Sequence, residues 1–288
     1  MTCIRELLQA TSLPRLEAQM LLQQVLQVSR SWLVAHDTDL LDESCVTRFR
    51  ALEQRRQAGE PMAYLVGVRE FMGHDFQVGP GVLIPRPDTE VLVETAVACI
   101  RLLAAEQTRQ QGAVNMVRQQ PSVRVLDLGT GSGAIAVSAA LACPQACVTA
   151  TDASLQALEV AQTNARNLGA AVTFHAGSWY DALPPDTDLF DLIVSNPPYI
   201  RADDPHLIQG DLRFEPVGAL TDGHDGLTAL KAIIGGANAW LKPGGALWLE
   251  HGWDQAAAVR EQLVKAGFKR VESLTDLAGI ERISGGYL

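Results

Sequence analysis

The second half of the chain alternates strand-like apolar runs with helical segments, and this alternation constrains the fold more than any other feature. Strands are predicted at residues 123–128, 148–151, 172–174, 189–194 and 246–249, with a terminal pair within 271–287. Helices are predicted at 134–141, 155–168, 227–241 and 255–266. Such alternation is typical of a parallel sheet with helices on both faces. The sequence therefore predicts an α/β domain.

The first 75 residues carry helical apolar spacing with no strand between the helices. We therefore expect a small helical domain at 1–75, a hairpin linker at 76–88 around Gly79-Pro80-Gly81, and the α/β domain at 89–288. A helix is predicted at 89–105 and an exposed loop at 107–122. The helical domain is a candidate for recognition of a partner, and a purely stabilising appendage is the alternative.

The stretch Asn196-Pro197-Pro198-Tyr199 follows the buried run at 189–194, so Asn196 is predicted at the carboxyl end of a strand. Ligands of open α/β sheets bind at that edge. The stretch resembles the motif of S-adenosylmethionine-dependent methyltransferases that act on a planar nitrogen. The Asn196 side-chain oxygen and the Pro197 carbonyl would accept its two hydrogens, and Tyr199 would offer a stacking face. An ordinary Asn-Pro turn is the alternative.

A glycine turn, Gly129-Thr130-Gly131-Ser132-Gly133, follows the first strand of the α/β domain, and Asp152 ends the second. This spacing also fits a dinucleotide site, so an NAD enzyme is an alternative. Asp127 would lie beside a pyrophosphate, where a like charge is unfavourable, whereas S-adenosylmethionine is cationic at that end. The pattern therefore favours S-adenosylmethionine, with Asp152 accepting from its ribose hydroxyls.

Two of these residues have structural alternatives. Asp152 precedes a helix start and would also serve as its N-cap. Trp179, after the third strand, is predicted to pack on the adenine, and a plain core position is equally compatible with its sequence context.

Composition restricts the class of protein. The 288 residues are 47% hydrophobic and 19% charged, as in a folded globular chain, and the net charge of −10 argues against an extended nucleic-acid surface. The five cysteines form no CxxC pair, and no metal constellation is visible. No apolar run suits a membrane span or a signal peptide, so we expect a cytoplasmic protein.

Further motifs extend the resemblance over nearly the whole chain. Together with the glycine turn and the Asn196 stretch they are Pro61-Met62-Ala63-Tyr64-Leu65, Leu83-Ile84-Pro85-Arg86-Pro87-Asp88-Thr89-Glu90, Arg213-Phe214-Glu215-Pro216 and Glu250-His251-Gly252. The joint pattern resembles the protein-(glutamine-N5) methyltransferases that act on peptide chain release factors. Asp88 replaces a more usual Glu, and Trp253 stands where a Tyr is common.

The resemblance implies a Rossmann-like class I methyltransferase sheet of seven strands, the last antiparallel, and methylation of the glutamine in the Gly-Gly-Gln loop of release factors. By the same resemblance, the cofactor-binding residues are Gly129, Thr130, Gly131, Ser132, Gly133, Asp152, Trp179 and Asn196. The residues that hold the glutamine are Asn196, Pro197, Pro198 and Tyr199, with Asn196, Pro197 and Tyr199 catalytic.

Three alternative functions remain at this point: a glutamine methyltransferase that acts on a ribosomal protein, a DNA amino-methyltransferase, and a cofactor-binding scaffold. The DNA enzyme would want an inserted recognition domain and basic residues, which the sequence lacks. His251 is the best-placed histidine, and a structural role is preferred for it because the motif works by positioning.

Overall fold

A computed structural model describes residues 2–111 and 123–288. The chain begins with five helices, α1 (Ile4–Gln9), α2 (Arg15–Leu26), α3 (Arg30–Ala35), α4 (Glu43–Gln57) and α5 (Met62–Val66). Their apolar faces meet in one core that includes Ile4, Leu21, Leu22 and Phe49, all fully buried. Local signals set the ends of these helices. The Ser29 side chain caps α3 by accepting from the Trp32 amide at 3.2 Å, whereas Asp42, the N-cap residue of α4, makes no side-chain capping hydrogen bond.

The linking hairpin lies earlier than the sequence predicted. Strand β1 (Val68–Phe71) pairs with β2 (His74–Gln77), and the turn is Met72-Gly73 rather than Gly79-Pro80-Gly81. Both turn residues have positive φ, 53° and 76°, which matches the twist of a two-residue hairpin. A Met at positive φ is uncommon, so Met72-Gly73 was not recognised as the turn. Residues 78–86 instead continue without regular structure towards the α/β domain.

Helix α6 (Glu90–Gln111) is longer than the predicted helix, and the first residues of the predicted exposed loop belong to it. Its last turns are polar but contain good helix formers, so a helix forms without an apolar stripe. The remainder of that predicted loop lies outside the described residues.

A seven-stranded sheet forms the centre of the α/β domain. Its strands are β3 (Arg124–Leu128), β4 (Cys147–Asp152), β5 (Val172–Ala176), β6 (Phe190–Ser195), β7 (Leu241–Glu250), β8 (Lys269–Thr275) and β9 (Glu281–Tyr287). The order is β5-β4-β3-β6-β7-β9-β8, and β9 runs antiparallel to both of its neighbours. The predicted sheet, with its last strand antiparallel, is confirmed.

The remaining helices are α7 (Ala134–Ala142), α8 (Leu155–Leu168), α9 (Val217–Leu220), α10 (Thr228–Ala237) and α11 (Ala256–Lys265). Helix α10 ends earlier than predicted, because the chain turns after Ala237 and Leu241 already begins β7. No helix within 2–111 or 123–288 is long and apolar enough to cross a membrane.

The sheet separates two apolar cores, because successive side chains of a strand point to opposite faces. On one face Val125 and Trp248 pack in a core that α6 and α7 cover. On the other face Leu126 and Leu247 pack in a core that α10 and α11 cover. Burial on both faces explains why these strands are continuous apolar runs rather than alternating ones.

Candidate active site

The carboxyl ends of the parallel strands meet at one edge of the sheet. Leu128, the last residue of β3, is in register with Thr151 of β4 and Ser195 of β6, and Ser195 is in register with Leu249 of β7. The residues that follow these positions therefore lie side by side, although the sequence separates them widely. The glycine turn, Asp152, Asn196 and Glu250 are brought together in this way.

A cavity of about 460 Å³ lies over this edge. The predicted site residues that line it are Gly129, Thr130, Gly131, Ser132, Asp152, Trp179, Asn196 and Pro198. Gly133, Pro197 and Tyr199 were also predicted for the site and do not line the cavity. Its volume is in the range of small-molecule sites in proteins.

The glycine turn brings backbone close to the cavity. Gly129 has a φ of 73°, and a Cβ built on it would lie 3.1 Å from Cζ3 of Trp179. A side chain at this position would therefore displace the Trp179 ring. Trp179 itself has a φ of 45°, a strained value for a non-glycine residue. It lines the cavity and is also packed, partly buried, against the core that α10 and α11 cover.

Gly133 serves the packing of helices rather than the cavity wall. A Cβ at Gly133 would lie 3.2 Å from the Cβ of Ala161 and 3.2 Å from Cγ2 of Val137. The absence of a side chain therefore lets α7 begin close against α8.

The Asp152 carboxylate faces the cavity and fixes the glycine turn. Its Oδ2 accepts from the Gly131 amide at 2.8 Å, and its Oδ1 accepts from the Ser154 amide at 2.8 Å. Each carboxylate oxygen has a second acceptor site for a ligand hydroxyl. The alternative of Asp152 as N-cap is wrong, because Ser154 is the N-cap residue of α8 and its hydroxyl accepts from Ala157.

Asp127 is a fully buried carboxyl beneath the glycine turn. Its Oδ2 accepts from the Thr130 hydroxyl at 2.6 Å and from the Ala136 amide at 3.2 Å, whereas its Oδ1 has no partner among the described residues. Burial raises the pKa of Asp127 to about 7 despite these hydrogen bonds. The unpaired oxygen is thus an acceptor that protein groups leave unused.

The side-chain amide of Asn196 is held by Thr89, which ends a short 3-10 turn directly before α6. Its Nδ2 donates to Oγ1 of Thr89 at 3.1 Å, and no residue that the structure describes hydrogen-bonds its Oδ1. The preceding Ser195 is fixed by its hydroxyl, which donates to the Leu128 carbonyl at 2.6 Å. The strand end therefore presents an amide oxygen at the cavity with its nitrogen already engaged.

Tyr199 is directed away from the cavity wall. Its hydroxyl donates to Oε1 of Glu250 at 3.1 Å, and its ring packs against the core that α10 and α11 cover. Burial and the nearby Glu250 carboxyl raise the pKa of Tyr199 well above its usual range. Tyr199 is therefore a hydrogen-bond donor in the site and not a base.

Sequence reasoning assigned no role to Glu250, the last residue of β7. Only 1% of its surface is exposed, and burial raises the pKa of its carboxyl to about 7. The hydrogen bond that Tyr199 donates to Oε1 opposes this shift of the pKa, and Oε2 of Glu250 has no partner among the described residues. An acidic residue directly after the apolar run 246–249 was the signal that could have identified it, since that run ends at the ligand-binding edge.

The roof of the cavity was also missed. It consists of residues from the segment 81–89 and from α9 with the residue before it, among them Gly81, Val82, Leu83, Pro85, Arg86, Thr89, Pro216, Gly218 and Ala219. Glu215 joins the two segments, because its Oε2 accepts from the Ile84 amide at 3.0 Å and its Oε1 pairs with Arg86. Burial raises the pKa of Glu215, and the Arg86 guanidinium opposes that change.

His251 does not line the cavity. It is fully buried, with Nδ1 2.9 Å from the Gly252 carbonyl oxygen and Nε2 2.7 Å from the Ser284 hydroxyl. Burial lowers the pKa of His251, so the neutral ring donates to the carbonyl and accepts from the serine. This arrangement favours the structural role predicted for it. In the part of the chain that the structure describes, no cluster of three metal-ligating side chains occurs.

Comparisons with solved structures agree with the fold. A methyltransferase from Pyrococcus furiosus superposes with a TM-score of 0.52 at 19% identity, over 82% of this chain and 96% of that one. At this level of identity the likeness concerns the fold alone.

Sequence comparisons find relatives that are much more similar to this chain. The PrmC N-terminal domain family matches residues 2–67, and the methyltransferase small domain family matches residues 111–209. The release factor glutamine methyltransferase of Bordetella pertussis is 60% identical over 100% of both chains. The enzyme of that name from Escherichia coli is 42% identical over 97% of this chain and 94% of its own length. The chain therefore belongs to the family of release factor glutamine methyltransferases.

Proposed function

We propose that the chain transfers the methyl group of S-adenosylmethionine to the side-chain amide nitrogen of the glutamine in the Gly-Gly-Gln loop of release factors, in support of translation termination. The names of its full-length relatives support this substrate. The observation that carries the proposal is the free Oδ1 of Asn196 at the cavity, with Nδ2 of the same side chain held by Thr89.

The cavity suits the cofactor in shape and chemistry. Bound S-adenosylmethionine would supply an electrophilic methyl group on a sulfonium centre. The glycine turn allows a ligand to approach the backbone, and Asp152 accepts from ribose hydroxyls through its free acceptor sites. Trp179 offers a face for the adenine ring. The buried Oδ1 of Asp127 is an unpaired acceptor, and a cationic group of the cofactor nearby would favour the ionised form of this carboxyl.

The proposed work of the Asn196 stretch is to orient a weak nucleophile. The lone pair of an amide nitrogen is delocalised, so the nitrogen attacks only when its hydrogens are held by acceptors. The Asn196 side-chain oxygen and the Pro197 carbonyl are the proposed acceptors, and Pro198 forms the adjacent wall. Tyr199 was expected to stack on the substrate, but its ring packs against the core outside the cavity wall, so its proposed role is to fix the turn through its hydrogen bond to Glu250. The methylated amide then releases its proton to water, so this step requires no histidine.

The proposed partner is the release factor as a folded protein, and the helical domain is proposed to recognise it outside the cavity. Release factors act on the bacterial ribosome, so the cytoplasm is the proposed place of action. The net charge of −10 gives no reason to expect direct nucleic-acid binding.

The proposal is tested by single-turnover methylation of purified release factor with saturating cofactor. Asn196→Ala keeps the strand end and the two prolines but removes the acceptor oxygen. Misplacement of a reacting group or loss of such a hydrogen bond slows transfer by about 10²- to 10³-fold. Peptide mass spectrometry should locate the methyl group on the Gly-Gly-Gln glutamine of the wild-type reaction.

The matched control is Asn238→Ala, because the side-chain amide of Asn238 donates to the Ala266 carbonyl and neither residue lines the cavity. Cofactor affinity of the Asn196 variant is measured in parallel. Transfer within a few-fold of wild type by Asn196→Ala would remove Asn196 from the reaction, and methylation of another residue would refute the substrate.

A further inference from the structure

Asn164, on α8, is a polar side chain with no exposed surface. A buried amide is costly unless it is hydrogen-bonded, and both N–H donors and the oxygen of Asn164 are used. Its Nδ2 donates to the Ser132 carbonyl at 2.8 Å and to the Gln77 carbonyl at 3.0 Å, and its Oδ1 accepts from the Gln77 amide at 2.7 Å. One side chain therefore joins the glycine turn to the last residue of the linking hairpin.

The Ser132 carbonyl is the part of the glycine turn that Asn164 fixes. Ser132 lines the cavity, and no other residue that the structure describes bonds its carbonyl. The next amide, that of Gly133, donates to the Thr130 carbonyl at 2.9 Å. The peptide group between Ser132 and Gly133 is thus held at both ends, and Asn164 keeps its oxygen directed at α8.

Helix α8 also supports the linker that runs from the hairpin to the cavity roof. Gln156 and Val160 precede Asn164 at the spacing of successive helical turns, so the three share one face. The Nε2 of Gln156 donates to the Pro80 carbonyl at 2.6 Å, and Val160 packs against the apolar cluster that includes Val82. One helix face therefore contacts the linker and, through Asn164, the glycine turn.

We propose that Asn164 is a positioning residue for cofactor binding: it holds the Ser132 carbonyl against α8 and ties the glycine turn to the linking hairpin. The inference rests on the proposed function, in which S-adenosylmethionine is the ligand of this cavity. Asn164 itself does not line the cavity, so it acts on the cofactor through the backbone of the turn.

The three hydrogen bonds of Asn164 differ in consequence. The two bonds to Gln77 are only partly buried, so solvent can replace them. The bond to Ser132 is buried, so its loss leaves the carbonyl unpaired. That carbonyl regains a partner only when the peptide rotates towards the cavity, and Gly133, which lacks a Cβ, permits this rotation. The rotated turn no longer fits the cofactor.

The test is Asn164→Leu, which nearly keeps the shape of the side chain but removes all three bonds. Calorimetry should show that its affinity for S-adenosylmethionine falls by about 5- to 50-fold. Its KM for cofactor should rise by a similar factor, whereas kcat on release factor should stay within about threefold of wild type. A mere loss of folded protein would instead lower kcat and leave KM unchanged.

Two matched controls are expected to bind cofactor as the wild type does. Asn238→Leu makes the same substitution where the amide donates to the Ala266 carbonyl and neither residue lines the cavity. Val259→Ala removes buried apolar groups from the core that α10 and α11 cover, so it lowers stability without touching the glycine turn.

Hydrogen exchange of the wild type tests the connection without a variant. S-adenosylhomocysteine, the product of the cofactor, should slow exchange of the Gln77 amide by roughly 3- to 10-fold, because an ordered glycine turn also orders Asn164. The Val78 amide donates to the Gly67 carbonyl instead, and its exchange should slow by less than about twofold. This measurement decides the question if Asn164→Leu does not fold.

The outcomes separate this inference from the proposed function. Wild-type affinity in a folded Asn164→Leu, or exchange of the Gln77 amide that does not respond to S-adenosylhomocysteine, overturns the role of Asn164 and leaves the proposed function intact. A wild type that binds cofactor but does not methylate release factor overturns the proposed function, while the loss of cofactor affinity in Asn164→Leu still supports the inference.

Discussion

Arg213 Nη2 donates to the main-chain carbonyl of Ala58 at 2.6 Å, although 155 positions separate the two residues. Ala58 is the C-cap residue of α4, where backbone carbonyls lack helical partners and a cation is favourable. Two residues after Arg213, Glu215 holds Ile84 and Arg86 in the cavity roof. The segment 211–216 therefore connects the helical domain with the roof of the active site.

Removal of this connection should loosen the segment. The bond is exposed, so its net contribution is about 0.5–1.5 kcal/mol. We expect Arg213→Ala to speed hydrogen exchange of the Phe214 and Glu215 amides by roughly 3- to 10-fold. Arg5→Ala, which breaks an exposed ion pair with Asp37, is the control and should leave these amides unchanged. Equal exchange in both variants would mean that other contacts hold the segment.

The stability cost of placing a side chain between Gly129 and Trp179 can be measured separately from the cost of a positive φ in the glycine turn. Gly129 and Gly131 both have positive φ, 73° and 57°, but a Cβ on Gly131 would meet nothing within 4 Å. Gly131→Ala should therefore lower the free energy of unfolding by about 1–2 kcal/mol, which is the cost of holding a non-glycine residue at positive φ. Gly129→Ala should cost about 1–3 kcal/mol more, because the ring of Trp179 must move.

Urea unfolding of the two variants without cofactor measures this difference. A crystal structure of Gly129→Ala should show the Trp179 ring displaced. Equal losses of stability would mean that the ring yields without cost.

Asp152→Ala should weaken cofactor binding. The loss of a charged acceptor for ribose hydroxyls costs about 1.5–3 kcal/mol, or roughly 10- to 150-fold in affinity. Titration calorimetry measures it, with the exposed Asp186→Ala as the matched control. The Gly131 and Ser154 amides also lose their acceptor, so thermal unfolding must show that the variant is folded. Unchanged affinity in a folded variant would restrict Asp152 to its role in the turn.

The central strands of the sheet were predictable because they contain apolar runs that end at a local signal. The run before Asn196 ends at two prolines, and the run before Gly129 ends at a glycine turn. The true hairpin was missed because its turn depends on Met72 adopting a positive φ, which sequence patterns do not indicate. The length of α6 was underestimated because its final turns have no apolar stripe.

The active site shows the same difference between local features, which were predictable, and long-range contacts, which were not. The glycine turn and the Asn196 stretch are local motifs, so the sequence alone pointed to the residues that line the floor of the cavity. The contacts of Thr89 with Asn196 and of Ile84 with Glu215 join residues 107 and 131 positions apart. Contacts between residues so far apart produce no recognisable pattern in the sequence. The roof of the cavity and the contact of Tyr199 with Glu250 therefore became visible only in the folded structure.

The buried carboxyl of Asp127 should give stability a characteristic pH dependence. In the unfolded chain an Asp releases its proton near pH 4, whereas in the folded protein the pKa of Asp127 is raised to about 7. Between these values the folded state binds more protons, so this group's contribution to the free energy of unfolding falls as the pH rises. Asp127→Asn removes the ionisable group, so the variant does not lose this stability as the pH rises. Relative to wild type, the variant should gain about 1 kcal/mol per pH unit across this range.

Urea unfolding at intervals between pH 4.5 and about 7.5 measures the difference between variant and wild type. Asp186→Asn changes the same charge at an exposed position and should show no such trend. A difference between Asp127→Asn and wild type that does not vary with pH would mean that Asp127 ionises normally in the folded protein.

Deletion of the first helices should separate recognition of release factor from chemistry. The deletion should end at Gly59, because the Tyr64 hydroxyl donates to the Val82 carbonyl at 2.6 Å and so supports the cavity roof. The truncated protein should bind cofactor normally. Its kcat/KM on intact release factor should fall on the order of 10²-fold, since a second, linked contact is lost. On a short peptide that contains Gly-Gly-Gln, which cannot use that contact, its rate should match that of the full chain.

The deletion also removes the Ala58 partner of Arg213, so full-length Arg213→Ala is the necessary control and should retain most of the rate on intact factor. Equal losses by the truncated protein on the peptide and on the intact factor would reduce the helical domain to a support for the roof.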